Sequence, residues 1–311
     1  MKYKHLFGPV NSRRLGVSLG VDMMPYKTCT LDCVYCECGS TSVLTTERKE
    51  YIGAEEIISE LQEFLSAKPL LDYVTFGGSG EPTLNTALGK CIRFIKNNFP
   101  QYKVALLTNG TLFTNPEVQE ESLLCDMVLP SVDAISDNVF NQINKPHRSL
   151  DNTSILNGLI EFSEKYTGKL MLEVFIIPGI NDNPAELTNF KAVLQKINLT
   201  RVQLNSLDRP GACDWVEVAS AETLRKIAEF FVPLPVEIIS RNSSTPILKE
   251  NTGIATEESI LTLLRRRPST IEELSRITGL TINIIQEYLS ELQNKGQVSS
   301  ENISGNTFYH L

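Results

Sequence analysis

Between residues 17 and 240, short unbroken apolar runs alternate with longer stretches in which apolar positions recur every three or four residues. The runs fall at 17–23, 73–76, 104–108, 127–132, 170–177 and 202–204. A continuous run, rather than a two-residue alternation, marks a strand covered on both faces. The intervening stretches put Ile57, Leu61, Phe64 and Leu65 on one helical face, and Leu88, Ile92, Ile95 and Phe99 on another. A further helix starts at Asn183-Pro184 and aligns Leu187, Phe190, Leu194 and Ile197. Strands joined by crossovers of helical length imply a parallel sheet. Six repeats are too few for an eight-fold barrel. The pattern therefore predicts an α/β chain whose core is a partial (β/α)6 barrel with parallel strands; a doubly wound sheet fits the same alternation.

Near residue 240 the texture changes. Asn242-Ser243-Ser244-Thr245-Pro246 reads as a linker, so the expected division is 1–240, a linker at 241–255, and a compact unit at 256–311. That unit predicts a helix over 257–266 and a break at Pro268. Ser269-Thr270-Ile271-Glu272 then matches a capping box, and a tight turn at 278–281 has Thr281 as N-cap. A longer helix carries Ile285, Tyr288, Leu289 and Leu292 on one face, and two short strands end the chain. Helix–helix–turn–helix–hairpin is the outline of a small winged-helix domain.

Composition narrows the function classes. The 311 residues carry a net charge of −8, a poor starting point for a general polyanion binder. No run approaches the ~20 apolar residues of a membrane span, and no apolar stretch follows the basic N-terminus, so a cytoplasmic location is expected. The cysteine count is seven, with four inside 29–38, which does not read as a disulfide framework. Clustered cysteines in such a chain point to metal or redox chemistry. Cys91, Cys125 and Cys213 are scattered and expected to act as small buried hydrophobes.

The sharpest signal is Cys29-Thr30-Leu31-Asp32-Cys33-Val34-Tyr35-Cys36, a C-x3-C-x2-C spacing with an aromatic before the last cysteine. Three thiolates on one loop can close around one iron–sulfur cluster and leave one iron open to a small molecule. The competing reading is a four-thiolate zinc site completed by Cys38. Other polar or glycine-bearing segments fall at successive strand ends, the face of a parallel barrel where sites form. They are Gly77-Gly78-Ser79-Gly80-Glu81, Leu107-Thr108-Asn109-Gly110, Ser131-Val132-Asp133, Ile177-Pro178-Gly179-Ile180-Asn181-Asp182 and Gln203-Leu204-Asn205-Ser206.

With these residues the chain resembles the radical S-adenosylmethionine (SAM) superfamily over roughly residues 7–240. The resemblance implies a [4Fe-4S] cluster held by Cys29, Cys33 and Cys36, with the open iron chelating the SAM amino and carboxylate groups. Reductive cleavage then yields methionine and a 5′-deoxyadenosyl radical that abstracts hydrogen from a substrate, making the chain an oxidoreductase or transferase. It further implies SAM contacts from Gly78, Ser79, Gly80 and Glu81, with Glu81 on the ammonium, although Ser79 departs from the family's Gly-Gly-Glu. Asn109, Ser131, Asp133, Ile177, Gly179 and Asn205 are expected around the ribose, carboxylate and adenine. The segments 8–16 and 207–211 resemble a subgroup of iron–sulfur oxidoreductases related to wybutosine-pathway tRNA enzymes. An electron donor such as a flavodoxin or ferredoxin is implied as partner.

On the substrate side stand Arg13, Arg14, Arg209 and the 144–148 segment with His147. His147 suits a proton-handling or anion-binding role, or is an exposed loop histidine; the Arg13-Arg14 pair suits an anion clamp or an ion-paired face. The expected recognition helix, 281–294, holds two glutamates and no Lys or Arg, so duplex DNA is a poor partner. A lid, a dimerisation surface or a substrate-protein adaptor fits it better. Alternatives to a radical enzyme of open substrate are a tRNA-base modifier, a glycyl-radical activase, and an iron–sulfur or SAM-sensing regulator acting through the winged helix.

Overall fold

The computed structural model describes residues 3–12, 14–239, 257–303 and 305–311. The expected linker at 241–255 lies outside the described residues, and so does Arg13. The chain opens with an antiparallel hairpin, β1 (Leu6–Ser12) and β2 (Gly16–Val21), followed by a small parallel pair, β3 (Thr28–Cys29) and β4 (Val43–Leu44). Then α1 (Ala54–Ser66), β5 (Tyr73–Phe76), α2 (Leu88–Asn98) and β6 (Lys103–Thr108) begin the alternation. It continues through α3 (Pro116–Ser122), β7 (Met127–Pro130), α4 (Asp137–Ile143), α5 (Asn152–Lys165) and β8 (Lys169–Phe175). The last units of this body are α6 (Pro184–Leu194), β9 (Arg201–Asn205), α7 (Ala221–Phe230) and β10 (Val236–Ile238). These strands form one sheet in the order β1-β2-β5-β6-β7-β8-β9-β10, parallel from β2 onward.

The six expected strands are all present, and two further strands extend the sheet at its ends. Pro9 is tolerated in β1 because that strand is an edge, and its register slips between Phe7 and Val10. The continuous apolar runs have the expected cause. Leu19, Val21, Val74, Phe76, Val104 and Leu106 face Ile57, Leu61, Leu65, Ile92 and Ile95 of the helices. Their neighbours Tyr73, Ala105, Met127 and Leu129 form a separate cluster on the other face with Leu15. Asn183 caps α6 as expected, accepting from the Glu186 N–H at 3.0 Å.

The C-terminal unit is α8 (Glu257–Arg266), α9 (Ile271–Thr278), α10 (Ile282–Asn294) and an antiparallel hairpin, β11 (Ser299–Ile303) with β12 (Asn306–His310). Its core holds Ile260, Leu264, Leu274, Ile285, Leu289 and Leu292. The capping box sits one residue later than expected, on Thr270 and Glu273. Ser269 is instead held by a two-way backbone pairing with Tyr309, at 3.0 and 2.9 Å, which leaves Thr270 as the first residue able to cap. Thr281 is the N-cap residue of α10 but makes no side-chain capping bond.

Candidate active site

The cysteine loop leaves the sheet after β2 and is held from both sides. Along one side, Asp32 N–H donates to the Asn144 carbonyl (2.9 Å), Val34 N–H to Ile143 (2.9 Å) and His147 N–H to Thr30 (2.9 Å). On the other, Cys213 N–H donates to the Val34 carbonyl at 2.9 Å. Gly211 packs so closely that a β-carbon there would lie 3.0 Å from the Tyr35 Cα. Tyr35, the aromatic before the last cysteine, stacks on Phe175 with centroids 3.9 Å apart and gives its hydroxyl to Asp133. The loop is thereby a rigid platform, not a surface excursion. Cys91 and Cys125 are buried as expected, whereas Cys213 is only partly buried and belongs to this platform.

Each of the three spaced cysteines faces one side-chain N–H donor, and each of these donors comes from a different segment. Asn109 Nδ2 is 3.4 Å from Cys29 Sγ, Asn144 Nδ2 is 3.4 Å from Cys33 Sγ, and Lys27 Nζ is 3.0 Å from Cys36 Sγ. Cys38 Sγ lies 4.0 Å from the Gly78 carbonyl, an acceptor. Burial pushes the Cys29 thiol up to about 12, with Glu81 adding to the effect, and burial beside Asp133 lifts Cys33 as well. Cys36 differs. The Cys38 thiol bonded to it and the Lys27 ammonium outweigh burial and hold it at about 6, while Cys38 is pushed up. Among the described residues no three His, Cys, Asp or Glu side chains converge as they would around a single ion. The three thiols on one loop, each faced by a side-chain N–H donor, are a donor set that suits an iron–sulfur cluster.

The glycine loop after β5 lies directly against this platform. Gly80 approaches the Thr28 carbonyl so closely that a β-carbon would sit 2.3 Å from it, and at Gly78 one would sit 2.3 Å from the Asp22 carboxyl carbon. Ser79 donates to Asp22 Oδ2 at 2.9 Å. Asp22, buried at the end of β2, escaped sequence reasoning because a lone aspartate after a strand carries no pattern.

Glu81 is 2 % exposed and turns its carboxylate into the protein. It accepts from Thr83 N–H (3.0 Å), Thr83 Oγ1 (2.5 Å), Thr108 Oγ1 (2.6 Å) and Asn109 N–H (2.7 Å). Burial lifts its pKa although all four bonds oppose the rise. Asp133 is built the same way: Phe175 N–H at 3.0 Å, Asn144 Nδ2 at 2.9 Å and the Tyr35 hydroxyl all point at it. Burial brings it to about 6 against those bonds.

The other strand ends contribute differently. Ser131 lines a cavity of about 20 Å³ with Asn109, Asp133 and Asn144, room for about one water. Ile177 is buried beside Leu31 and Val34, and Gly179 holds a left-handed backbone (φ +78°) with open space around it. Two residues beyond Gly179, Asn181, fully buried, clips three strand-end backbone groups at 2.7–2.9 Å. Asn205 donates to Glu173 at 3.1 Å, and Glu173 is also ion-paired with Arg14. Arg14 is therefore the ion-paired alternative of its two readings. His147 Nδ1 lies 2.8 Å from Ser149 Oγ at the rim.

Arg209 does not face a substrate pocket. It is 5 % exposed and donates to the Pro268 carbonyl (2.9 Å) and to both oxygens of Glu273. Glu37, next to Cys36, lies 3.4 Å from its Nε, and its guanidinium stands 5.7 Å from the Phe308 ring centroid. This residue joins the cysteine loop to the C-terminal unit. Ile303 at the end of β11 packs beside Leu31 and Val34 in the same apolar cluster.

The chain is 36% identical over 306 residues to a UPF0026 protein of Helicobacter pylori, covering 98% of this chain and 96% of that one. It is also 36% identical to a Brachyspira hyodysenteriae protein named GTPase Obg, over 98% of this chain but only 45% of that longer protein's length. Its fold matches a radical SAM methyltransferase from Sphaerobacter thermophilus (TM-score 0.58, 16% identity, 73% of this chain and 67% of that one). It also matches TYW1 solved with a lysine-pyruvate adduct bound (TM-score 0.52, 16% identity, 69% of this chain and 72% of that one). The radical SAM superfamily model matches residues 23–190, from the end of β2 into α6, so the chain belongs to that superfamily, with a [4Fe-4S] cluster and S-adenosylmethionine as its cofactors.

Proposed function

We propose that Cys29, Cys33 and Cys36 hold the cluster and that the chain is a radical SAM enzyme acting on a substrate that enters at the strand ends. The observation that carries this reading is the set of three N–H donors, Asn109, Asn144 and Lys27, each aimed at one of the three sulfurs. When bound, the cluster and SAM supply reductive cleavage of a carbon–sulfur bond and a 5′-deoxyadenosyl radical able to abstract hydrogen. The chain's own work is placement. Glu81 and Asp133 brace the loop, Tyr35 and Phe175 wall one side, and the glycine loop packs its backbone against Thr28 at the start of the cysteine loop. Gly179 and Ser131 are the strand-end positions best placed for a nucleoside, one with open space around it and one lining the cavity. Anaerobic incubation with SAM and dithionite tests the reading: 5′-deoxyadenosine and methionine are the expected products, and intact SAM beside a fully loaded cluster overturns it.

The C-terminal unit, read as a winged helix, serves in this proposal as a lid or substrate adaptor. The α9 helix lies against β1 at one end of the sheet, while its Glu273 grips Arg209 beyond β9 at the other end. The unit thus spans the open side of the barrel, next to the cysteine loop.

A further inference from the structure

Lys27 stands two residues before the first cysteine and no feature of the cysteine spacing requires a lysine there. It is 2 % exposed, an unusual situation for an ammonium group, which burial strongly disfavours unless a counter-charge is present. Among the described residues no carboxylate is ion-paired with it; its Nζ lies 3.0 Å from Cys36 Sγ. Its backbone is held in the left-handed region at φ +54°, a conformation that a residue with a β-carbon rarely adopts. The strain persists because three bonds fix it: its N–H donates to the Ser79 carbonyl (3.1 Å), and its carbonyl accepts from Ser42 and Val43, both at 3.0 Å. Those partners belong to the glycine loop and to the start of β4 with the residue before it, so the residue is pinned between two segments and its side chain is aimed by the backbone.

We propose that Lys27 is a positioning residue for the cluster's electronics: its fixed ammonium donates to the Cys36 thiolate and raises the reduction potential of the [4Fe-4S] centre. The inference rests on the assignment of Cys29, Cys33 and Cys36 as ligands. Reduction adds one electron from a low-potential one-electron donor, dithionite in the test, and forms or breaks no bond. The added negative charge is stabilised by a fixed neighbouring cation, and hydrogen bonds to ligand sulfurs act in the same direction.

The test is a redox titration of the reconstituted full chain, followed by the electron paramagnetic resonance signal of the reduced cluster, on wild type and on Lys27→Met, Lys27→Gln and Lys27→Arg. At a potential where wild type is half reduced, the ratio of reduced to oxidised cluster is expected to fall about tenfold in Lys27→Met, a midpoint about 59 mV lower for one electron. Lys27→Arg should recover most of it. Lys27→Gln, which keeps an N–H without the charge, should lie between. Equal midpoints in wild type and Lys27→Gln or Lys27→Met overturn the proposal, and a loss of SAM affinity at unchanged midpoint reassigns the ammonium to SAM and overturns it as well. Should none of the three variants load iron while circular dichroism shows them folded, Lys27 is a structural pin and the proposal fails. A wild-type chain that never shows a reduced-cluster signal is a failure of the ligand assignment instead.

Discussion

Glu81 in the barrel mouth and Glu273 in the C-terminal unit are both largely buried carboxylates, and their surroundings move them in opposite directions. Glu81 meets only hydroxyl and amide donors, so burial prevails and its pKa rises. Glu273 meets the Arg209 guanidinium in a two-pronged pair; burial again opposes the charge, but the cation overcomes it and holds the group at about 2. Neutral donors favour the charged carboxylate less strongly than a neighbouring cation does, so burial can still prevail over them. A buried ion pair makes a junction that depends on both partners remaining charged. The mouth is therefore built as a scaffold of fixed shape, and the contact between barrel and C-terminal unit as a latch.

The largest expected effect tests the scaffold. Alanine at Cys29, Cys33 or Cys36 should abolish iron loading after anaerobic reconstitution, against about four irons per chain in wild type. Cys38→Ala, which leaves all three spaced sulfurs in place, should load nearly normally. Equal loss in Cys38→Ala and Cys36→Ala removes the distinction between three ligands and four.

Next comes the latch. Arg209→Met takes from Glu273 its hydrogen-bonded cation and leaves only the weaker influence of Arg267; breaking a buried pair typically costs about 3–5 kcal/mol, the upper bound here. Hydrogen exchange should then show α9 losing protection while β5 and β6 keep theirs. The same pair sets a pH window. A carboxyl with an ordinary value of 4.5 and a folded value of about 2 binds fewer protons folded than unfolded between those limits. Its contribution, about 3 kcal/mol, is complete above roughly pH 4.5 and is lost as pH falls through about 2. Undocking that begins on raising pH from 5 to 8 contradicts the assignment.

A smaller effect is expected at Glu81. Glu81→Ala strands the donors of Thr83, Thr108 and Asn109, and should lower unfolding stability by about 2–4 kcal/mol. Glu81→Gln should recover part of it. Unchanged stability with a loss of SAM affinity alone points the carboxylate at the SAM ammonium after all.

What could be read from sequence differed between the same two regions. The barrel strands were legible because they are covered on both faces and so print unbroken apolar runs; β10 has three half-buried residues and β1 carries a proline, so neither does. The cysteine triad was legible because its residues are close in sequence. Its supporting contacts were not: Asn109 reaches Cys29 across 80 positions, Asn144 reaches Cys33 across 111, and Arg209 reaches Glu273 across 64. Such pairs are decided by the topology of the sheet. Local pattern carries no trace of them, which is why Arg209 reads as a substrate-side residue until the chain is folded.

The smallest expected effect concerns nucleic acid, and it sharpens the view of the C-terminal unit as a latch-held lid. The outer face of α10 presents Asn283, Gln286, Glu287, Ser290 and Glu291. Duplex affinity comes chiefly from neutralising phosphates, with log affinity falling by about 0.9 per log unit of salt for each contact made. A helix face with two carboxylates and no cation offers no such contact, and its negative charge repels the backbone. Retention of a random duplex at low salt should therefore change less than about twofold when the chain is ended after residue 245, and show little salt slope from α10. Glu287→Lys with Glu291→Lys should create a salt-dependent affinity that the natural chain lacks. A steep salt slope in the unaltered chain, abolished by removing 246–311, would reverse the reading and make the C-terminal unit a nucleic-acid module governed by the state of the cluster beside it.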